Sequence, residues 1–115
     1  MAGMYYEDFQ IGTVIRHEVT RTVTETDNLL ITALTMNVQP LHLDAEFAAQ
    51  SMYGRQIVNS IFTLGLVTGI PVQETTLGTT LGNLGFRDIE FPNPVFFGDT
   101  LRVETIALDK RVSKS

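Results

Sequence analysis

One stretch of the sequence, QIVNSIFTLGLVTGIPVQ at residues 56–73, carries no charged side chain. Its apolar residues occur at positions that would point to every side of a helix, and such a helix has to be enclosed by other parts of a protein. The apolar part is shorter than the roughly 20 residues that a helix needs to cross a bilayer. The sequence therefore predicts a helix over residues 57–70, buried inside a folded domain.

Three other stretches have the composition of β-strands. Residues 12–23 (GTVIRHEVTRTV) are rich in β-branched side chains, and residues 79–91 and 101–112 follow the apolar segment with strand-like patterns. Strands on both sides of a helix that must be enclosed favour an α+β arrangement, in which an antiparallel sheet curls around the helix. The length predicts one domain, residues 1–115. No βαβ alternation is visible, so a dinucleotide-binding fold is not expected.

Two shorter helices are expected before the apolar segment. Thr24 has the features of an N-cap, and Asp27 follows three residues later, at the position of a capping box. This helix has to end before Pro40, because the residue before a proline is driven out of the α region. A second helix is predicted from Asp44, another N-cap candidate, to Ser51.

The segment between these helices, TMNVQPLHLD at residues 35–44, contains the best candidates for chemistry. On one continuous helix Asn37 and His42 would diverge by about 140°. Pro40 breaks the helix between them, and a kinked loop can turn both side chains into one pocket. Histidine titrates near neutrality and is the usual proton carrier. The alternative is a structural histidine whose ring bonds a backbone carbonyl, and the residues alone leave both open.

The other titratable residues receive structural interpretations. His17, the second histidine, is expected at the surface or rim of a strand. The two histidines have no H-x-x-x-H spacing and the chain has no cysteine, so no metal site is predicted. Asp44 and Glu46 are explained as a helix cap and a first-turn acid.

The start of the apolar helix offers a second set of candidates. Ser60 does not stand in a G-x-S-x-G nucleophile motif. However, the unpaired backbone N–H groups of a helix start can bind an anion or a developing oxyanion. Asn59 is expected as a second donor or as the helix cap. Gly54, in the turn before the helix, and Arg55, as a contact for phosphate groups, are further substrate-binding candidates.

The charge and the termini restrict the partners and the compartment. The net charge is −5 with no basic stripe, which argues against binding to nucleic acid. The N-terminal residues MAGMYYEDFQIG lack the basic and apolar regions of a signal peptide. The sequence therefore predicts a cytoplasmic protein that does not bind membranes.

These motifs resemble the MaoC-like dehydratases, the family of the (R)-specific enoyl-CoA hydratases, also called hydratase-2. The family hallmark has the form G-D-x-N-P-L-H, and MNVQPLHLDAEFA stands in its place. Pro40, Leu41, His42 and Asp44 match, whereas Gln39 replaces the usual asparagine. The stretches YYEDFQIG, RTVTETDN and PNPVFFGDTLRVE extend the resemblance over nearly the whole chain.

The resemblance implies a hot-dog fold, a long helix wrapped by an antiparallel sheet, in a homodimer or higher homo-oligomer. It also implies reversible hydration of a trans-2-enoyl thioester, with coenzyme A as part of the substrate and no separate cofactor. In the family an Asp and a His, five positions apart, hold one water, and a backbone N–H at the helix start holds the thioester oxygen. Carried over, these are Asn37 in place of the Asp, His42, and Ser60 through its main chain. Relatives usually continue for two more strands, which implies either a domain that is incomplete at its C-terminal end or a sheet edge that a neighbouring subunit covers.

The replacement of the family Asp by Asn37 leaves three functions open. An amide can orient a water but cannot accept its proton, so the first hypothesis is a hydratase or dehydratase in which His42 is the main base and acid. The second is an acyl-CoA-binding module without turnover. The third is a hot-dog thioesterase. It ranks last because those enzymes commonly carry an acidic base on the central helix, and residues 57–73 contain neither Asp nor Glu.

Overall fold

A computed structural model describes residues 3–112 of the chain. Its elements include a short 3₁₀ turn at Tyr6–Asp8, five helices and four short strands. They are β1 (Val14–Arg16), β2 (Arg21–Thr22), α1 (Glu25–Leu34), α2 (Pro40–Leu43), α3 (Ala45–Ala49), α4 (Ser60–Gly69), α5 (Val72–Thr75), β3 (Thr100–Leu101) and β4 (Glu104–Ile106). Within these residues every helix is too short to traverse a bilayer.

The strands form two antiparallel pairs, β1 with β4 and β2 with β3. The first pair ends where Arg16 lies opposite Glu104, and the second begins where Arg21 lies opposite Leu101. Four residues, 17–20, therefore face two residues, 102–103. A surplus on one strand is a β-bulge, which interrupts the ladder. The predicted antiparallel α+β arrangement is confirmed, but each of the continuous strands predicted at 12–23 and 101–112 is broken in two by this bulge.

His17 lies at the bulge and is buried, so its predicted place at the surface or rim is wrong. Bulges turn side chains away from the direction that strand alternation would give them. The ring contacts two distant elements: Nδ1 lies 3.1 Å from Oε1 of Glu74 in α5, and Nε2 lies 2.6 Å from Oγ1 of Thr105 in β4. His17 thus links β1, β4 and α5.

The segment at residues 79–91, predicted as a strand, forms no strand in the described part of the chain. Its Leu81 and Leu84 side chains are fully exposed. An extended segment is stable as a strand when neighbouring strands satisfy its backbone. Positive φ angles at Gly85 and Asp88 also interrupt its extended conformation. The prediction is therefore wrong for this segment.

Helix α4 begins at Ser60, three residues later than predicted. The preceding residues are extended, with the Val58 N–H donating to the Val95 carbonyl at 2.8 Å, and Asn59 is the N-cap. Within residues 3–112 the helix has no fully buried side chain, and Ile61 and Val67 are each 50% exposed. The predicted burial on every side is wrong: α1 packs against this helix, but residues 79–91, predicted as a strand of the enclosing sheet, form no strand.

Among residues 3–112 few apolar side chains are buried, and polar ones are buried with them. The buried apolar residues are Val23, Ala48, Val58 and Val103, and the buried polar residues are His17, Asn28, Thr32, Asn59 and Thr75. Every buried side-chain nitrogen and oxygen of residues 3–112 has a hydrogen-bond partner. Directional bonds between polar groups therefore help to specify how these elements meet.

The caps predicted from the sequence are confirmed. The Thr24 hydroxyl accepts from the Asp27 N–H at 3.2 Å, and the Asp27 carboxylate accepts from the Thr24 N–H at 2.9 Å. Arg21 adds a two-pronged ion pair to the same carboxylate, with both N–O distances at 2.7 Å. The hydrogen-bonded Arg21 guanidinium lowers the pKa of Asp27 to about 2, against the opposing effect of its partial burial. The Asp44 side chain caps α3 by accepting from the N–H groups of Glu46 and Phe47.

We expect Asp27→Asn to lower the stability of the domain at neutral pH. Because the folded pKa is lowered from 3.8 to about 2, the stabilisation by the carboxylate is complete above about pH 4 and is lost as the pH falls through about 2. Urea denaturation of the parent and the variant, measured between pH 7 and pH 2, should show two midpoints that converge at low pH. Glu25→Gln, in the same helical turn, is the control. A gap that persists unchanged at pH 2 would contradict the ion-pair explanation.

We also expect His17→Ala to lower the free energy of unfolding by about 2 kcal/mol, because it removes a buried ring and two hydrogen bonds. The neighbouring Arg16→Ala is the matched control. Arg16 forms an exposed ion pair with Glu104, and its loss should cost at most about 1 kcal/mol. Urea denaturation at neutral pH measures both. Equal losses would show that His17 does not link the elements as described.

Candidate active site

The chain between α1 and α2 is shaped by two local features. Met36 has a positive φ of 57°, which turns the chain after the helix. The Asn37 side-chain oxygen then accepts from the Gln39 N–H at 2.8 Å and closes a small turn before Pro40. Pro40 occupies the first position of α2, where its missing N–H has no cost. The predicted break before Pro40 is confirmed, and it separates Asn37 from His42.

The ring of His42 is half-buried and is held by the approach to α4. Its Nδ1 lies 2.9 Å from the main-chain oxygen of Ile57. A carbonyl oxygen can only accept, so Nδ1 carries the hydrogen, and in the neutral ring Nε2 carries the lone pair. Within residues 3–112 no group bonds to this Nε2. The bond from Nδ1 to a backbone carbonyl is the one expected of a structural histidine. It also leaves Nε2 as a proton acceptor on a ring whose orientation is fixed.

The main-chain oxygen of His42 is held as well, by two side chains. Helix α2 ends at Leu43 because Asp44 adopts an extended conformation and caps α3, accepting from the N–H groups of Glu46 and Phe47. The N–H that a longer helix would offer to the His42 carbonyl is thus used elsewhere. Asn28 Nδ2 donates to this oxygen at 2.9 Å and Gln56 Nε2 at 2.7 Å.

Asn28 belongs to a buried polar network that joins α1 to the start of α4. Its Oδ1 accepts from the Asn59 main-chain N–H at 2.9 Å and from the Thr32 hydroxyl at 3.4 Å. Asn59 Nδ2 donates to the Thr32 hydroxyl at 3.3 Å, and Asn59 Oδ1 accepts from the Ile61 N–H at 3.0 Å. The cap is therefore the role that the structure shows for Asn59. A contact with substrate would require one of these bonds to break.

Ser60, the first residue of α4, lies at the edge of a cleft of about 280 Å³. None of residues 3–112 accepts a hydrogen bond from the Ser60 N–H, which is one of the free donors of a helix start. The walls of the cleft include Tyr53, Ile57, Thr63, Phe91 and Val95. His42 does not line this cleft itself. Its ring is hydrogen-bonded to the carbonyl of Ile57, and Ile57 lines the cleft.

Gly54 and Arg55 lie beside a smaller cleft of about 170 Å³, together with Gln56. Gly54 has a φ of +72° and donates its N–H to the Ser51 carbonyl, as the turn before the helix requires. The Arg55 guanidinium stacks on Phe96 at 3.7 Å from the ring centroid, an orientation that leaves its N–H groups at the surface.

The structure thus brings His42 and Ser60 to the same end of α4, while the Asn37 oxygen is engaged in its own turn. Sequence reasoning missed Asn28 and Gln56. A signal for the first was present, because Asn28 and Thr32 are a polar pair four residues apart, and they are the buried residues of α1. Gln56 gave no comparable signal. In the described part of the chain no three His, Cys, Asp or Glu side chains converge as metal ligands would.

Comparisons with known proteins agree on one family. The protein-family model that describes the MaoC-like domain matches residues 8–115 of this chain. Mesaconyl-CoA hydratase of Cereibacter sphaeroides is 34% identical over 107 residues, which cover 93% of this chain and 31% of that protein. This chain therefore spans about a third of the length of that relative.

Solved structures support the same assignment. A putative MaoC domain protein dehydratase from Chloroflexus aurantiacus superposes with a TM-score of 0.84 and 31% identity, over 92% of this chain and 30% of that one. The (R)-hydratase of A. caviae superposes with a TM-score of 0.74 and 26% identity, over 91% of this chain and 76% of that one. The relatives include hydratases and dehydratases of CoA thioesters. From these matches, this chain belongs to the MaoC-like dehydratase family and has the hot-dog fold.

Proposed function

We propose that this domain catalyses the reversible addition of water to a trans-2-enoyl-CoA thioester, with His42 as the acid and base. The observation that carries the proposal is the bond from His42 Nδ1 to the Ile57 carbonyl. It presents Nε2 as a proton acceptor on a ring anchored three residues before Ser60, whose N–H is available as an oxyanion donor. An acid–base group and an oxyanion donor are the two devices that this reaction needs.

The reaction can be written with these residues alone. His42 Nε2 takes a proton from a water as the water oxygen attacks C3 of the enoyl group. Electrons move through C2 to the thioester oxygen, and the Ser60 N–H at the start of α4 stabilises the negative charge. The imidazolium then returns its proton to C2. Dehydration is the same sequence in reverse.

Asn37 has a positioning role in this proposal. Its oxygen accepts from the Gln39 N–H, so its amide nitrogen, a donor, is the group that remains for a ligand. A donor can hold the water oxygen or the substrate but cannot accept a proton. Proton transfer therefore rests on His42, in contrast to family members that carry an Asp at this position.

In this proposal Arg55 contacts the CoA portion of the substrate. Its exposed guanidinium beside Gly54 is suited to a phosphate group. We further propose that the protein is cytoplasmic, acts without a metal or separate cofactor, and forms a homodimer or higher homo-oligomer. The half-exposed apolar side chains of α4 support the last point.

A second candidate function is an acyl-CoA-binding module without turnover. It is favoured by Asn37, because this side chain cannot act as a base and is engaged in a local turn. Binding of acyl-CoA in a calorimeter, without hydration of any enoyl-CoA, would favour this candidate. A thioesterase is less well supported, because α4 carries no acid and Glu74, which follows in α5, contacts His17.

We expect His42→Ala to reduce kcat/KM by about 100-fold or more, because it removes the proton acceptor. Asn37→Asp should raise the rate, since a carboxylate can accept both the Gln39 N–H and a proton from water. The assay follows enoyl absorbance with straight-chain enoyl-CoAs and mesaconyl-CoA, and the reverse reaction with 3-hydroxybutyryl-CoA. Glu46→Gln, an exposed change on α3, is the control. The role of His42 is disproved if His42→Ala hydrates as fast as the parent.

The oxyanion donor is a main-chain N–H, and a proline at position 60 can delete it. Proline is tolerated at the first position of a helix, and Asn59, with φ −58° and ψ 124°, already has the conformation that precedes a proline. Ser60→Pro therefore deletes the N–H and should keep the helix. We expect kcat to fall by about 100-fold or more, while Ser60→Ala, which retains the N–H, stays close to the parent. Equal activity of the two variants, with equal urea midpoints, would exclude this donor.

A further inference from the structure

We propose that Asn28 and Gln56 are positioning residues, whose side-chain amides hold the His42 carbonyl and thereby orient its imidazole. The inference rests on the proposed function of His42. It assigns to two residues outside the family hallmark a part in the reaction that requires no contact with substrate.

The His42 carbonyl accepts hydrogen bonds from two side chains. Its two lone pairs are taken by Asn28 Nδ2 at 2.9 Å and Gln56 Nε2 at 2.7 Å. Helix α2 has four residues and cannot supply a main-chain donor, because the following N–H groups bond to Asp44. At this half-buried site, loss of both donors would leave the carbonyl without a hydrogen-bond partner, which is unfavourable. The backbone at His42 is therefore held from outside its own helix.

His42 is held at two places, its main chain and its ring, by adjacent residues. Gln56 holds the His42 main chain while the adjacent Ile57 carbonyl holds its ring. If the carbonyl contact were lost, the main chain at His42 could shift and the Nδ1 bond to Ile57 would lengthen. The two hydrogen bonds connect the same residue, His42, to the same segment, so together they fix the direction of Nε2.

Asn28 also contacts the start of α4. Its side chain is buried, with 2% exposure, and its oxygen accepts from the Asn59 N–H. Asn59 is the cap of α4 and immediately precedes Ser60. One amide group therefore sets the distance between the imidazole and the oxyanion donor, the two groups that must meet one thioester. Misplacement of reacting groups by about 1 Å can cost 100-fold in rate.

The test uses Asn28→Leu and Gln56→Met, which keep side-chain size and remove the amides. We expect each to reduce kcat by about 10-fold or more with KM nearly unchanged, because substrate contacts remain. Nitrogen-15 NMR of the His42 ring should show the Nδ1-protonated tautomer in the parent and a mixture of tautomers in the variants. Thr75→Val is the matched control: it removes the hydrogen bond from the hydroxyl of a different buried residue, in α5, to the carbonyl of Pro71, the N-cap of that helix. It should lower stability without changing the tautomer.

The NMR measurement does not depend on turnover, so the two proposals can fail separately. If the parent hydrates no enoyl-CoA, the proposed function is wrong, but a tautomer that changes in the variants still supports positioning by the amides. If the parent is active and both variants keep its kcat and its tautomer, the positioning proposal is wrong. It is also wrong if Thr75→Val changes the tautomer as much as they do. Should Asn28→Leu fail to fold, Gln56→Met at its half-buried position decides the outcome.

Discussion

The carbonyl oxygen of His42 accepts hydrogen bonds from two side-chain amides, and the shape of the candidate active site depends on them. A helix of four residues leaves its last carbonyls without main-chain donors, and Asp44 diverts the next N–H groups to a new helix. Asn28 from α1 and Gln56 from the approach to α4 supply the missing donors. The backbone at His42 is therefore held by two other segments of the chain.

The same dependence on directional contacts extends through the interior. The fully buried apolar side chains are small, whereas a histidine, two asparagines and two threonines are buried with them. Hydrophobic burial does not by itself fix orientation, but a hydrogen bond in a region of low dielectric does. In this domain the polar network of Asn28, Thr32 and Asn59 sets how α1 meets α4. The His17 contacts do the same for β1, β4 and α5.

The chemistry follows from the placement of donors and acceptors. The Ile57 carbonyl assigns the proton to Nδ1 of His42 and so gives Nε2 the lone pair. The Asn37 oxygen is bonded to the Gln39 N–H, so the group that this side chain can offer to a ligand is an amide donor, which cannot accept a proton. In the proposed reaction one imidazole accordingly takes the proton and returns it, and the helix start holds the negative charge. The membership of the chain in the MaoC-like family supports the type of reaction, whereas the assignment of both proton transfers to His42 rests on the amide at Asn37.

The sequence alone determined the features that depend on a few neighbouring residues. Thr24 and Asp27 cap α1, α1 ends before Pro40 and Asp44 caps α3, because each of these features depends on residues close together in the sequence. The antiparallel α+β class and the resemblance to hot-dog proteins were also predictable, and the structural comparisons confirm them. The break in the chain before His42 also followed from Pro40, but the structure places His42 itself in the short helix α2 and not in a loop.

The tertiary structure decided everything that joins distant segments. The bulge at residues 17–20 follows from a surplus of residues against the opposite strand, so the burial of His17 could not be predicted from its own strand. The lack of a strand at 79–91 and the exposure of α4 depend in the same way on which segments find a partner. Asn28 and Gln56 each lie fourteen residues from His42, on either side of it. Caps and turns are encoded locally, whereas the direction of the imidazole depends on three segments that meet only after the chain has folded.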